Sequence, residues 1–283
     1  MEDDHMSYKI IVDSCTDLTE EMKKDGHFHL VPLELQVGET RIVDDETFDQ
    51  AHFLKMVRES PVSPKSSCPS PEAYMKLYGG EEDIYVVTLS ANLSGSFNSA
   101  EVGKNLYLEE NTAKNIEIFN SCSASVGQAL IAQKIRELAS AGKPFHEVVE
   151  AVHKFRDGLS TKFVLENLDT LRKSGRLTGL KAVITSVLNI KPVMMATPEG
   201  SITKLDQARG IQKALRVMVD AVEKDVKNPQ DRILGIAHCN NYGRAQYVKE
   251  EVLRRVSFKD CIIVGTAGVS TMYAGDGGVI VCY

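Results

Sequence analysis

The chain has 283 residues, enough for about two domains with a sizeable core, and its 43% hydrophobic and 25% charged residues are the balance of an ordinary globular protein. A formal net charge of −6 argues against nonspecific nucleic-acid binding. No apolar run approaches the roughly 20 residues that cross a bilayer and no signal-peptide pattern precedes Tyr8, so no integral membrane segment is expected and the expected location is cytoplasmic. The six cysteines (Cys15, Cys68, Cys122, Cys239, Cys261 and Cys282) form no C-x-x-C pair and no close Cys/His spacing, which fits free thiols in a reducing compartment better than a disulfide framework or a zinc site.

Met1 to Ser7 is acidic and aperiodic and reads as a tail. Tyr8 to Val12 reads as a first strand ending in Asp13-Ser14-Cys15-Thr16-Asp17, with Glu20 at capping-box spacing from Asp17 for a short helix through Met22. Asp13 either serves a ligand or bonds nearby backbone N–H groups to hold the turn. Leu30 to Val37 alternates like one half-buried strand, and Thr47 to Glu59 has helical spacing. Four prolines between Ser60 and Pro71 predict a stiff irregular loop, Ser60-Pro61-Val62-Ser63-Pro64-Lys65-Ser66-Ser67-Cys68-Pro69-Ser70-Pro71, that carries a cluster of hydroxyls. Glu72 to Tyr78 supplies a short helix after it.

The buried-strand pattern Ile84 to Leu89 then runs into Ser90-Ala91-Asn92-Leu93-Ser94-Gly95-Ser96, after which Phe97, Ala100, Val102 and Leu106 take helical spacing. A strand that ends in a small-residue turn opening a helix is where open α/β sheets place ligands, because unpaired N–H groups and the positive end of the helix dipole face that turn. Ser90, Ser94 and Ser96 add hydroxyls and Gly95 lets the backbone approach closely, so the turn suits an oxygen-rich, anionic group; helix capping is the local alternative. A strand at Asn115 to Phe119, and helices from Ala124 to Ser140 and Phe145 to Asp157, complete four strand–helix alternations and imply a mainly parallel sheet.

Gly158 marks the expected boundary, with residues 1–157 as a first α/β domain and 158–283 as a second. Thr161 to Leu165 starts the second as a strand, and a short helix runs from Leu168 to Ser174. Thr197-Pro198-Glu199-Gly200 joins Val193–Ala196 to Ser201–Leu205 as a hairpin, and helices follow at Ala208 to Val226 and Gly243 to Val256. Strands at Arg232 to Ala237, Cys261 to Val264 and Gly278 to Tyr283 close a mixed sheet. Ala182 to Leu188 reads either as core helix or as part of a ligand tunnel. The charges Lys162, Arg172, Lys173, Arg176 and Lys181 read as a solvated face or a partner surface.

Five of these stretches, taken in order, resemble the DegV family of bacterial fatty-acid-binding proteins: Asp13-Ser14 after the first strand, Ser66-Ser67-Cys68-Pro69-Ser70-Pro71, Leu93-Ser94-Gly95-Ser96-Phe97, Leu171-Arg172-Lys173-Ser174-Gly175-Arg176, and Ile190-Lys191-Pro192. The resemblance covers nearly the whole chain from Tyr8. It implies two α/β domains with a long-chain fatty acid between them. It also implies a non-catalytic carrier that presents the bound carboxylate to a separate, dihydroxyacetone-kinase-like fatty-acid kinase for acyl-phosphate formation. By the same resemblance the carboxylate is held at Ser66 and Ser94, with Ser96 close by, and Arg176 of the Gly175-Arg176 pair engages the kinase. Where many relatives have His-x-Gly-Pro-Gly, this chain reads Tyr273-Ala274-Gly275-Asp276-Gly277: Tyr273 is the substitute donor, and Asp276 introduces a charge.

Burial of an acyl chain of about 14 methylenes at up to about 0.8 kcal/mol each contributes roughly 10 kcal/mol before entropic costs, so the head group needs chiefly to be oriented. Neutral hydroxyls and a helix N-terminus can do this without a tight ion pair. The rival is a serine-dependent hydrolase acting on a small ester or lipid. The chain lacks a G-x-S-x-G elbow, and His238 is its one well-placed candidate base. Neither G-x-x-x-x-G-K-[ST] nor G-x-G-x-x-G is present, and no cofactor or metal is expected.

Overall fold

A computed structural model describes residues 7–177 and 189–283. Its first sheet has the order β2-β1-β6-β7, with every neighbouring pair parallel, built from Tyr8–Asp13 (β1), Phe28–Val31 (β2), Asp83–Thr88 (β6) and Ile116–Asn120 (β7). Parallel strands covered by helices on both faces must be apolar throughout, and β6 is buried along its whole length. Successive side chains alternate between the two faces. Ile11, Ile84 and Val86 pack with Tyr74 and Ala100 from Pro71–Met75 (α3) and Ser96–Leu108 (α4). Ile10, Val12, Tyr85 and Val87 pack with Ile131, Ile135, Val148 and Val152 from Val126–Ser140 (α5) and Phe145–Asp157 (α6).

The second sheet has the order β10-β9-β8-β13-β11-β12, from Thr161–Val164 (β8), Ile190–Ala196 (β9), Ile202–Arg209 (β10), Ile233–His238 (β11), Asp260–Gly265 (β12) and Val279–Cys282 (β13). It is mixed: β11 and β12 run parallel, and the other pairs are antiparallel. Ile211–Asp225 (α8) and Tyr242–Leu253 (α9) cover one face. The opposite face packs on α5, where Val126 and Leu130 meet Ala237, Val264 and Cys282. Gly235 permits this contact, since a Cβ there would lie 2.7 Å from Val126 Cγ2. Helix α5 is therefore a layer common to both sheets, and this explains why so many of its residues are apolar or small on every side.

A third, antiparallel sheet, β4-β3-β5, consists of Glu34–Val37 (β3), Thr40–Val43 (β4) and Lys65–Ser67 (β5). It corrects two sequence expectations. Leu30 to Val37 is not one strand: the chain breaks at Pro32-Leu33, so β2 belongs to the first sheet and β3 to the third, as expected where a proline removes a ladder donor. The proline-rich stretch is not wholly irregular either, because Lys65, Ser66 and Ser67 lie between Pro64 and Pro69 and keep the N–H groups that pair with Gln36, Leu35 and Glu34.

Near the C-terminus, Gly268–Ala274 (α10) returns to the first half and packs Val269 and Met272 against Leu33, Leu35, Val37 and Phe53, the last from Gln50–Glu59 (α2). This helix was not predicted, since its β-branched and hydroxyl residues are weak helix formers. It is fixed by capping from a distance: the Asp44 carboxylate accepts from the N–H groups of Gly268 and Val269, both at 2.7 Å. Asp17 accepts from Ala267 N at 2.7 Å and from the Ser125 hydroxyl, so it does not cap the short helix Glu20–Lys24 (α1), whose N-cap is Thr19. Asp169–Lys173 (α7) follows β8 as expected. Strand β10 runs to Arg209, past the predicted start of the following helix at Ala208, and stops where Gly210 adopts φ 83°. Lys181 and Ala182 to Leu188 lie outside the described residues.

Candidate functional site

Strands β1 and β6 end side by side, which brings the Asp13 turn against the serine turn. Asp13 is fully buried and accepts from Leu89 N at 2.7 Å, Cys15 N at 3.2 Å and Gln128 Nε2 at 2.9 Å. Its carboxylate thus ties Leu89, the residue after β6, to α5 and holds the turn, the structural alternative for this residue. Above it the serine turn leaves the sheet. Ser90 donates to Gly200 O at 2.7 Å and Asn92 Nδ2 donates to Glu199 O at 2.6 Å, so the turn is fastened to the tip of the β9–β10 hairpin. Ser94 Oγ accepts from Ser96 N at 3.2 Å and lies 3.1 Å from Ser96 Oγ. The residue at the N-cap of α4 is Gly95, which has no side chain to cap with, and Ser94 one residue earlier satisfies the first helical N–H instead. A Cβ at Gly95 would stand 2.9 Å from Cys68 Sγ, and the glycine is what lets the proline-rich loop close on the turn.

From that loop, Ser66 Oγ forms a 3.0 Å hydrogen bond with Tyr273 OH on α10. Arg176, which follows α7, reaches the backbone next to one pair and the ring of the other. Its Nε donates to Leu93 O at 3.1 Å and one terminal nitrogen to Ser174 O at 2.7 Å, while the guanidinium lies over the Tyr273 ring, 5.7 Å from its centroid. Ser94 and Ser96 form one hydroxyl pair and Ser66 and Tyr273 another, and Arg176 lies between the backbone just before Ser94 and the Tyr273 ring without bonding any of the four hydroxyls. Among the described residues no hydrogen bond joins the pairs directly. Asp276 stays outside this group: it is exposed and accepts from Asn240 Nδ2 at 3.0 Å.

Leu93, Arg176 and Tyr273 also line a cavity between the first sheet's turns and the second sheet, along with Leu89, Phe163, Leu165, Leu171, Ile202 and Ile280. Its surface is apolar even where hydroxyl residues contribute, because the Ser123, Thr161, Ser270 and Ser125 hydroxyls bond to one another, to backbone or to a buried carboxylate. Ser123 Oγ meets Thr161 Oγ1 at 2.7 Å, Ser270 Oγ donates to Cys15 O at 3.3 Å, and Ser125 donates to Asp17. The lumen therefore offers carbon, and Leu93, Arg176 and Tyr273 of its lining connect it to the two hydroxyl pairs, which themselves do not line it.

Three buried carboxylates stand near this site and were not read as a group from sequence. Burial pushes Asp13 up to about 6, Asp17 up to about 7 and Asp44 up to about 6. Burial also pushes the Cys15 thiol well above its usual range, which makes it an inert wall residue. A hydrolase arrangement is missing among the described residues: His238 accepts from Asn241 N at 3.2 Å and packs edge-on against Tyr242, with no hydrogen bond to any serine. The basic stretch is not one face, since Lys162 is fully buried and held by Ser160 Oγ at 2.8 Å, Asp225 at 3.3 Å and Tyr283 OH.

The family model described as "Uncharacterised protein, DegV family" matches residues 7–283. The chain belongs to the DegV family. A DegV domain-containing protein of Streptococcus gordonii is 34% identical over 280 residues, covering 98% of this chain and 99% of that protein. A DegV-family protein of Ruminococcus gnavus, whose structure was refined with vaccenic acid, is 53% identical with a TM-score of 0.96, over 98% of this chain and all of that one (100%). The Fatty Acid Kinase (Fak) B3 protein of Streptococcus pneumoniae, solved loaded with linoleic acid, is 32% identical with a TM-score of 0.91, over 98% and 99% of the two chains. The DegV fold of two α/β domains, expected from the sequence, is the fold observed. No described helix is long and apolar enough to cross a membrane.

Proposed function

We propose that this DegV protein binds one long-chain fatty acid, with the acyl chain in the apolar cavity and the carboxylate among Ser66, Ser94, Ser96 and Tyr273, and presents that carboxylate to a separate fatty-acid kinase. The observation that supports the reading is the cavity itself: a carbon-lined lumen whose lining includes Leu93, next to Ser94, Tyr273, which is bonded to Ser66, and Arg176. The Ruminococcus gnavus and Streptococcus pneumoniae structures, with their bound fatty acids, support the same ligand class. In this reading residues 1–157 supply the hydroxyl loops and 158–283 cover the chain, apart from Tyr273, which α10 carries back to the first half.

The kinase step requires the carboxylate to remain a nucleophile. A carboxylate oxygen attacks the γ-phosphorus of ATP, ADP leaves, and an acyl phosphate remains on the carrier. Hydroxyl donors orient the carboxylate without the charge neutralisation of a tight bidentate ion pair. Arg176 is committed to Leu93 O, Ser174 O and the Tyr273 ring, so a kinase that engages it is brought to the rim of the head-group site. The test is to incubate the protein loaded with oleic acid with ATP and a DegV-partner fatty-acid kinase. Acyl phosphate formed only when carrier and kinase are both present, and reduced in Arg176→Ala, supports presentation. A loaded carrier that several such kinases leave unphosphorylated overturns it.

A further inference from the structure

Asp44 has no part in the proposed site, yet it shares a sheet surface with Ser66. It continues the pairing of β4 with β3, its N–H donating to Leu33 O at 2.9 Å, while on the other side of β3 Ser66 pairs with Leu35. Directly opposed residues of an antiparallel pair project from one face, as do residues two apart on a strand. Asp44, Leu33, Leu35 and Ser66 therefore lie on a single face, with Asp44 and Ser66 about 10 Å apart across two strand spacings. Helix α10 lies on that face and matches it from end to end. Asp44 accepts from Gly268 N and Val269 N, both at 2.7 Å, Leu33 and Leu35 pack with Val269 and Met272, and Ser66 bonds Tyr273 at 3.0 Å. From Gly268 to Tyr273 the helix rises about 8 Å, and Val269 and Tyr273, four residues apart, share its inner face. A helix of seven residues does not hold itself, and Ala267 at its N-cap has no side-chain bond to offer. The helix start also sits tightly on the carboxylate: a Cβ at Gly268 would lie 2.5 Å from Asp44 Oδ1 and 2.8 Å from Leu35 Cδ1.

Resting on the proposed fatty-acid site, we propose that Asp44 is a positioning residue that sets the Tyr273 hydroxyl for the ligand carboxylate, and through it the preference for an ionised acid over a neutral head group. The Tyr273 hydroxyl carries one proton. To hold a carboxylate it donates that proton to the ligand and accepts from Ser66, so it must stay within bonding distance of both. The place of Ser66 is set by the pairing of β5 with β3, and the place of Tyr273 by the height and rotation of α10 on the same sheet. Asp17 and Gln50 bond Ala267, Thr266 and Thr271, whereas Asp44 fixes the helix on the face it shares with Ser66. A hydrogen bond to a charged acceptor is worth more than one to a neutral acceptor, so displacement of Tyr273 weakens an acid more than the alcohol of equal length.

The probes are dodecanoate and dodecan-1-ol, each displacing a fluorescent fatty acid from the full chain. Tyr273→Phe is expected to lower dodecanoate affinity about fivefold. Asp44→Ala should lower it by about the same factor and change dodecan-1-ol affinity less than about twofold. In the Asp44→Ala background Tyr273→Phe should then cost less than about twofold, because the hydroxyl it removes is already displaced. Asp44→Asn leaves one acceptor oxygen for two N–H groups and covers the case in which Asp44→Ala does not fold; it should lower the preference for the acid at least about twofold. Equal losses for acid and alcohol in the variant that folds, or a fivefold cost of Tyr273→Phe that persists in it, would make Asp44 a structural cap alone and overturn the proposal while leaving the fatty-acid site standing. Failure of dodecanoate and longer acids to bind the wild-type protein overturns the site itself.

Discussion

Asp17 offers a stability test that needs no ligand. It is buried, accepts from Ala267 N and the Ser125 hydroxyl, and has its pKa raised to about 7 chiefly by desolvation. In the unfolded chain an aspartate titrates near 3.9. Between roughly pH 4 and pH 7 the folded state therefore holds a proton that the unfolded state has lost, so this group's stabilising contribution is complete at the acid end and is lost as pH rises through 7. From pH 5.5 to pH 7.5 the expected loss from Asp17 is about 2 kcal/mol. Asparagine keeps both contacts: its Oδ1 accepts from Ala267 N, its Nδ2 donates to Ser125 Oγ, and the hydroxyl turns from donor to acceptor. Asp17→Asn should accordingly lose about 2 kcal/mol less than wild type over that window. Urea unfolding at the two pH values, followed by far-UV circular dichroism, measures it. Equal losses in the two proteins would refute the assignment of a raised pKa to this carboxylate.

Tyr273→Phe removes the 3.0 Å bond to Ser66 while preserving the ring under Arg176, and should weaken fatty-acid binding by about 1 kcal/mol in a fluorescent fatty-acid displacement assay. Ala124→Phe fills the cavity wall with a ring and should reduce retention of octadecenoic acid at least tenfold, with an unchanged circular dichroism spectrum. Gln50→Ala deletes the Nε2 bonds to Thr266 O (2.9 Å), Thr266 Oγ1 (3.0 Å) and Thr271 Oγ1 (2.8 Å), which join α2 to the segment entering α10. A loss of about 1–3 kcal/mol in urea is expected, with protection from hydrogen exchange falling first in residues 266–274.

Three strands of the parallel sheet, β1, β6 and β7, were legible because each is a largely apolar run followed by a turn of small polar residues and a helix, whereas β2, with His29 and an exposed Leu30 and no helix after it, was not. The serine turn and the proline-rich loop were legible as hydroxyl clusters, but their meeting came from the family resemblance and not from the residues themselves. It depends on the pairing of β5 with β3, which the prolines around Ser66 conceal, and on the glycine at 95 that admits Cys68. Helix α10 was hidden for a different reason. Its stability comes from Asp17 and Asp44, more than 200 residues earlier in the chain, and local propensity carries no trace of such caps. The same long-range bonds explain why Asp17 was mistaken for a capping-box residue. The apolar cavity could not be read at all from its wall, since Ser123, Ser125, Thr161 and Ser270 look polar in sequence and become apolar walls only by bonding among themselves, to backbone and, for Ser125, to Asp17.

The most direct test of the central claim is native mass spectrometry of the protein purified without added lipid, followed by denaturing extraction of whatever is bound. The account predicts a mass increment of one long-chain fatty acid per chain, diminished in the Ser66→Ala/Ser94→Ala double variant. A mass equal to the bare chain, unchanged after incubation with saturated and unsaturated long-chain acids, would contradict it.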